Sequence, residues 1–197
     1  MTSIDPHHPT SARLSAVPGG RLVAQRSAVS VVSALVEISP RARSWLARAR
    51  PEPDTLSAAR FSPYQSFTVE CGYDFDAAVM ELRTGRRIVE SLTDRGRALL
   101  GPVLVSDHKL AILLTPGAST QLPALSAADR RLLGAASVRL LGLGSVLTVP
   151  PCSTRRSATR SWLNPPVGDT EAGPQPLTPL SDLVAATSGL DQGRIGA

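Results

Sequence analysis

The segment from Asp76 to Leu92, DAAVMELRTGRRIVESL, changes its hydrophobic period once, and no other feature constrains the fold as much. Its first part, DAAVMEL, is a mainly apolar run that predicts a strand, and Gly85 predicts the turn that ends it. Behind the turn, Ile88, Val89 and Leu92 recur at the spacing of one helical face. The sequence therefore predicts a strand that leads through a tight turn into an amphipathic helix.

Hydrophobic spacing also predicts the elements on either side of this segment. Helices are predicted over 23–38 and 41–50, and two further helices are predicted to begin after Ser126 and after Pro179. Strands are predicted over 67–71, 103–105, 110–114, 138–141 and 146–149. The strands 103–105 and 110–114 form one predicted hairpin, and 138–141 and 146–149 form a second. Ser126 with Asp129 three positions later is a capping box, and Thr178 is the predicted cap of the last helix.

This order of elements predicts an α+β fold, with a mixed or antiparallel sheet that helices cover on one face. A length of 197 residues fits one domain. The Ser/Thr/Pro/Gly-rich residues 1–20 are predicted to be a disordered leader. Residues 21–188 are predicted to form the domain, and 189–197 a flexible tail.

The basic residues suggest an anionic partner. The formal net charge is +5, and Lys109 is the only lysine, so nearly all of the positive charge is arginine. Arginine matches phosphate and carboxylate groups with two parallel hydrogen bonds. An alternative interpretation is that arginine and alanine are frequent because the coding sequence is GC-rich, since net charge alone argues for solubility and non-specific binding.

Other features bear on the compartment. Cys71 and Cys152 are far apart and belong to no Cys/His cluster, so neither a zinc site nor a disulfide is expected. The first residues lack the charged and apolar regions of a signal peptide. No apolar run approaches the ~20 residues that cross a bilayer. We therefore expect a cytoplasmic protein that does not bind a membrane.

Three segments together resemble the primase-polymerase (archaeo-eukaryotic primase) superfamily in its short actinobacterial form. They are CGYDFDAAVMELRTGRRIVESL, LGPVLVSDHKLAILLTPGAS, and LLGLGSVLTVPP followed by SWLNPP, within roughly 40–166. The resemblance implies an RRM-like sheet with helices on one face. It also implies nucleotidyl transfer by divalent metals held on carboxylates, with a histidine on the nucleotide phosphate.

The first motif of this family requires two acids one residue apart, and two pairs of positions are candidates. The pair at the end of the predicted strand keeps Glu81 but has Arg83 as its second member, which we expect to lie beside Glu81 on one strand face and repel a cation. The other pair is Asp74 and Asp76, which precedes the strand. These two aspartates are more simply interpreted as turn residues that start it.

The second and third motifs are only partly present. The resemblance places the phosphate-contacting histidine at His108, in Ser106-Asp107-His108, although a histidine at a hairpin turn is usually only solvated. An acid is expected shortly before the glycine bend at 142–144, where the sequence has Ser137 and Arg139. Too few acids remain for a metal site, so we expect no metal and no cofactor, with magnesium or manganese only in an active enzyme.

Two arginine groups are candidate phosphate contacts: Arg83, Arg86 and Arg87 after the first strand, and Arg155, Arg156 and Arg160 beside the last predicted strand. The leading hypothesis is a catalytically degenerate primase-polymerase-like domain that binds nucleic acid or nucleotide, or serves as a partner module. The alternatives are an active DNA primase/polymerase that uses Asp74, Asp76 and His108, and a purely structural module for another protein.

Overall fold

The computed structural model describes residues 39–48, 66–94, 100–150, 160–169, 171 and 173–192. The helices are α1 (Pro40–Arg48), α2 (Leu82–Asp94), α3 (Ala118–Gln121), α4 (Ala127–Ala135) and α5 (Leu180–Gln192), and a 3-10 turn spans Leu122–Ala124. The strands are β1 (Phe67–Glu70), β2 (Asp76–Glu81), β3 (Val103–Ser106), β4 (Lys109–Leu114), β5 (Arg139–Leu141), β6 (Val146–Val149) and β7 (Arg160–Asn164).

A five-stranded antiparallel sheet in the order β5-β2-β4-β3-β7 forms the centre of the fold. Its elements β2-α2-β3-β4-α4-β5 follow the βαββαβ order of a split βαβ unit, with β4 between the two strands that α2 connects. The predicted α+β class and the antiparallel sheet are confirmed.

Helices α2, α4 and α5 cover one face of this sheet. The central strand β4 sends Leu110, Ile112 and Leu114 to that side, where they join Ile88 of α2 and Leu183 of α5 in one buried cluster. The intervening β4 residues point to the opposite face, because side chains alternate along a strand. Since both faces are covered, β4 is apolar almost throughout and its last five residues are buried.

The second face is covered by α1 and by a separate two-stranded ribbon made of β1 and β6. Trp45 and Leu46 of α1 are buried there together with Trp162 of β7. The ring of Trp45 lies against that of Phe75, with 5.4 Å between centroids. Helix α1 is also connected to the loop behind β7 by an ion pair of 2.6 Å between Arg48 and Asp169.

The second predicted hairpin is wrong. Strand β5 pairs with β2, whereas β6 pairs with β1, so the turn at 142–145 carries the chain from the sheet to the ribbon. Two turns cross closely at this point, and a Cβ on Gly72 would lie 2.4 Å from the Cα of Leu143. Gly72 also has φ +106, which disfavours any side chain.

Other boundaries differ from the expectation because a residue has a distant partner. Helix α2 begins at Leu82 instead of Gly85. Thr178 does not cap α5: its hydroxyl accepts a 3.0 Å hydrogen bond from the N–H of Gly101, and the carbonyl of Pro179 accepts the first helical bonds. The capping box is confirmed, since the N–H of Asp129 donates to the Ser126 hydroxyl at 3.1 Å.

Several expectations lie outside the described residues. They concern the leader at 1–20, the helix at 23–38, Cys152 and the pair Arg155 and Arg156. Helix α5 runs to Gln192, so residues 189–192 of the predicted tail are helical, and 193–197 lie outside the described residues. None of the described helices is long and apolar enough to cross a membrane.

Candidate functional site

Four elements meet at one end of the sheet, where β2 passes into α2 and β3 turns into β4. Glu81, the last residue of β2, lies opposite Lys109, the first residue of β4. The backbone N–H of Leu82 donates a 3.0 Å hydrogen bond to the carbonyl of His108 in the β3–β4 turn. The start of α2 and the turn are therefore held against each other by the main chain.

A groove of about 700 Å³ opens at this junction. Its lining residues are Glu81, Leu82, Arg83, Arg86, Arg87, Asp107, His108 and Lys109. The structure thus brings together the first arginine group, the histidine and Glu81, which the sequence had nominated separately. Asp107 and Lys109 were not nominated, although their position on either side of His108 could have indicated them.

Gly85 determines how closely α2 approaches the sheet. A Cβ at this position would lie 2.7 Å from the Cβ of Leu110 on β4, a separation that real side chains do not show. With Gly85, Ile88 and Leu92 buried against the sheet, the arginines at 83, 86 and 87 remain exposed. The close approach of the helix therefore presents these arginines beside the β3–β4 turn.

The groove is predominantly basic. Four of its lining side chains are cationic, namely Arg83, Arg86, Arg87 and Lys109, against the two carboxylates of Glu81 and Asp107. The first turn of α2 contains no acidic residue. The positive end of a helix dipole favours anions, so the helix and the side chains act in the same direction. This arrangement is suited to a negatively charged ligand.

Arg83 does not lie beside Glu81 on a strand face, as the sequence had predicted. It is the second residue of α2, because the strand ends at Glu81. The residue that shares a sheet face with Glu81 is Val79, two positions earlier. An acid pair of the expected kind would need its second carboxylate at this valine.

A strip of polar side chains continues from the groove across the ribbon-side face of the sheet. The strand registers place Arg139 opposite Val79, Glu81 opposite Lys109, and Arg160 opposite Ser106. Since neighbouring strands lie about 4.8 Å apart, β5 and β7 are separated by about 19 Å across the sheet. Arg139, Lys109 and Arg160 therefore follow one another on alternate strands.

Arg160, the described member of the second arginine group, does not share a face of the sheet with the first group. Arg160 lies on the ribbon side, as does Trp162, whereas α2 packs on the opposite face. They approach each other only around the end of β2 and β4, with Lys109 between them. Arg139, which the sequence analysis considered only as a missing acid, belongs to the same basic strip.

Asp74 and Asp76 are at the other end of β2 from His108. Asp76 is opposite Leu114, five residues from Glu81, so about 17 Å of strand separates it from the groove. Its side chain is fully buried, and one carboxylate oxygen accepts a 2.6 Å hydrogen bond from the N–H of Ser119. The predicted constellation of Asp74, Asp76 and His108 is not formed.

Asp76 instead affects the nearby thiol of Cys71. Burial raises the pKa of Cys71 to about 12, and the negative charges of Asp76 and Glu70 add to the shift. A buried thiol that stays protonated is neither a nucleophile nor a metal ligand. Among the described residues, no group of three or more His, Cys, Asp or Glu side chains is placed to hold a metal ion.

No family model matches the chain, and neither a curated protein nor a solved structure matches it.

Proposed function

We propose that this protein is a catalytically degenerate primase-polymerase-like domain that binds the phosphate groups of a nucleic acid or nucleotide in the groove. The observation that carries the proposal is the convergence of Arg83, Arg86, Arg87 and Lys109 at one end of the sheet. Guanidinium groups bind phosphate oxygens through paired hydrogen bonds. The proposal places the protein in the cytoplasm, where nucleic acids and nucleotides are both present.

The shape of the site favours a phosphate backbone over stacked bases. An open groove continued by Arg139 and Arg160 could follow a chain of phosphates across the sheet. Base-stacking proteins use exposed aromatic rings, but Phe67 and Phe75 are buried, and the exposed Tyr73 lies at the far end of β2. We therefore expect binding that depends on salt and only weakly on base sequence.

The loss of catalysis is supported by the surroundings of Glu81. Two-metal nucleotidyl transfer needs carboxylates that share both cations. The neighbour of Glu81 on its own sheet face is Val79, and the residue opposite it is Lys109. A cation beside Glu81 would meet the ammonium group of Lys109 on the neighbouring strand.

Salt-dependent DNA binding tests the proposal. Anisotropy of a fluorescein-labelled single strand and of the matching duplex would be measured from low to physiological salt. Arg83→Ala and Arg86→Ala should each weaken binding about threefold to tenfold and reduce the salt slope by about one counterion. Arg131→Ala is the matched control, because Arg131 is an exposed arginine of α4 that does not line the groove.

Equal losses of DNA affinity in Arg86→Ala and Arg131→Ala would refute specific binding in the groove. Primer extension by the purified protein with magnesium or manganese would overturn the degenerate part of the proposal alone. Primer extension would be assigned to this site only if Glu81→Ala abolished it.

A protein-interaction module is the second candidate, and one surface feature favours it. Tyr73 and Leu143 are each 67% exposed and Val146 is 58% exposed, and they lie on or beside the two turns that cross at Gly72. This apolar surface is at the end of β2 remote from the groove. If the protein shows no DNA binding at any salt concentration, this surface becomes the leading candidate for the functional contact.

A further inference from the structure

A second cavity lies on the helical side of the sheet, where α2, α4 and the last turns of α5 meet. This cleft has a volume of about 180 Å³. Its lining residues are Thr84, Arg87, Leu132, Ala135, Ala136, Thr187 and Leu190. Each helix contributes residues spaced three apart, which places them on one side of that helix.

The lining combines one cation with apolar walls. Leucine and alanine side chains of α4 and α5 form the walls, and the small side chains of Ala135 and Ala136 leave space at the end of α4. The polar groups are the guanidinium of Arg87 and the hydroxyls of Thr84 and Thr187. None of the described lining residues is a carboxylate, so none of them neutralises the arginine.

Three carbonyls near the end of α4 are already paired. The carbonyls of Leu132, Leu133 and Gly134 accept hydrogen bonds from the N–H groups of the turn that follows. The carbonyl of Leu190 in α5 accepts a bond of 3.5 Å from one nitrogen of Arg87. A guanidinium carries five N–H donors in a planar fork, so the bond to Leu190 uses only one of them.

We propose that the cleft binds a small aliphatic carboxylate. Its carboxylate would accept hydrogen bonds from Arg87 and from the Thr84 hydroxyl, and its hydrocarbon part would pack against Leu132 and Ala135. The geometry favours a carboxylate over a bulkier phosphate ester because the cation is single and the remaining walls are mostly apolar. Burial of the hydrocarbon part adds affinity that a purely inorganic anion would lack.

Arg87 also lines the groove, but the carboxylate site does not depend on the proposed phosphate binding. The direct probe is sodium butyrate, titrated at constant ionic strength into the ¹⁵N-labelled protein and followed by amide chemical shifts. For a ligand of this size we expect a Kd of about 1–10 mM. The shifts should concentrate on α2, on the end of α4 and on Thr187 and Leu190.

Three variants and one neutral analogue separate the carboxylate site from general effects. Arg87→Ala should weaken butyrate binding at least tenfold, whereas Arg86→Ala, which changes the groove but not the cleft, should leave it within twofold. Ala135→Leu fills the cleft at an exposed helical position and should abolish binding while the remaining spectrum is retained. Butyramide has the same shape without the charge and should bind at least tenfold more weakly.

Equal binding of butyrate and butyramide would overturn the proposal, and so would unchanged butyrate binding in Ala135→Leu. If Arg87→Ala does not fold, Ala135→Leu and the butyramide comparison still decide the question. Loss of DNA binding in the anisotropy experiment would leave this result unaffected, because no nucleic acid is present in the titration.

Discussion

The same substitution, glycine to alanine, should have opposite effects on stability in helices α2 and α4. In a helix interior, alanine is favoured over glycine by about 0.8–1 kcal/mol. Gly134 of α4 is exposed, and a Cβ built there meets no atom within 4 Å. Gly134→Ala should therefore raise the free energy of unfolding by about 0.5–1 kcal/mol, the lower part of this range reflecting its place near the end of the helix.

Gly85→Ala should instead destabilise the protein. The new Cβ would lie 2.7 Å from the Cβ, 3.1 Å from the Cγ and 3.0 Å from the Cδ2 of Leu110. A rotamer change can move the outer atoms, but the Cβ is attached to β4, which is paired on both sides by β2 and β3. The helix must move outward instead. Overpacking should cost about 2–3 kcal/mol, and the higher helix propensity of alanine should offset about 1 kcal/mol of this. We therefore expect the free energy of unfolding to fall by about 1–2 kcal/mol.

Urea unfolding followed by the fluorescence of Trp45 and Trp162 measures both effects, with the midpoint compared at an unchanged m value. Both tryptophans are buried in the folded protein, so their emission should change on unfolding. In thermal unfolding, the two variants should differ in Tm by roughly 3–12 °C, since 1 kcal/mol shifts Tm by about 2–4 °C at this size.

A Gly85→Ala variant as stable as Gly134→Ala would refute the inferred close packing of α2 on β4. The same variant should weaken DNA binding if the close approach of α2 positions the arginines. An unchanged affinity in a destabilised variant would separate the packing argument from the site.

Three further predictions follow from single residues. Ser137 has φ +53 at the end of α4, a conformation that favours glycine. Ser137→Gly should therefore raise the free energy of unfolding, measured in urea, by about 0.5–1 kcal/mol. An unchanged free energy of unfolding would argue against the positive φ. Because the pKa of Cys71 rises from 9.0 to about 12 on folding, its contribution is present below pH 9 and lost as the pH rises to 12. The free energy of unfolding of the unmodified protein should thus fall more steeply between pH 9 and 12 than that of Cys71→Ala. Parallel plots of unfolding free energy against pH for the two proteins would contradict the burial of the Cys71 thiol. Glu81→Gln removes a carboxylate from the groove and should strengthen DNA binding about threefold at low salt, whereas weaker binding would show that Glu81 itself contacts the ligand.

Much of the secondary structure was predictable because its signals are local. The alternation in QSFTVEC corresponds to β1, and the spacing of Trp45 and Leu46 corresponds to the buried side of α1. The cap at Ser126 depends only on a residue three positions away. Such features involve a few neighbouring residues, and short-range sterics and hydrogen bonds determine them.

The candidate site was predictable only in part. The sequence nominated Glu81, His108 and the first arginines, but it placed Arg83 on a strand because nothing local marks the end of β2. It also offered Asp74 and Asp76 for the same site, since two residues close in sequence can be far from a third in space. Strand β7 was missed because its buried Trp162 acquires strand character only by pairing with β3.

The sequence by itself determined the class of the fold, the order of most of the described elements and an excess of arginine that favours an anionic partner. Only the tertiary structure decided that β5 and β6 belong to different sheets, that Lys109 stands opposite Glu81, and that Arg87 lies between two cavities. These contacts join residues that are distant along the chain, and many alternative pairings satisfy the same hydrophobic pattern. Close packing selects among them, and at the closest approaches only glycine fits, as at Gly72 and Gly85, where a Cβ would clash with Leu143 or Leu110.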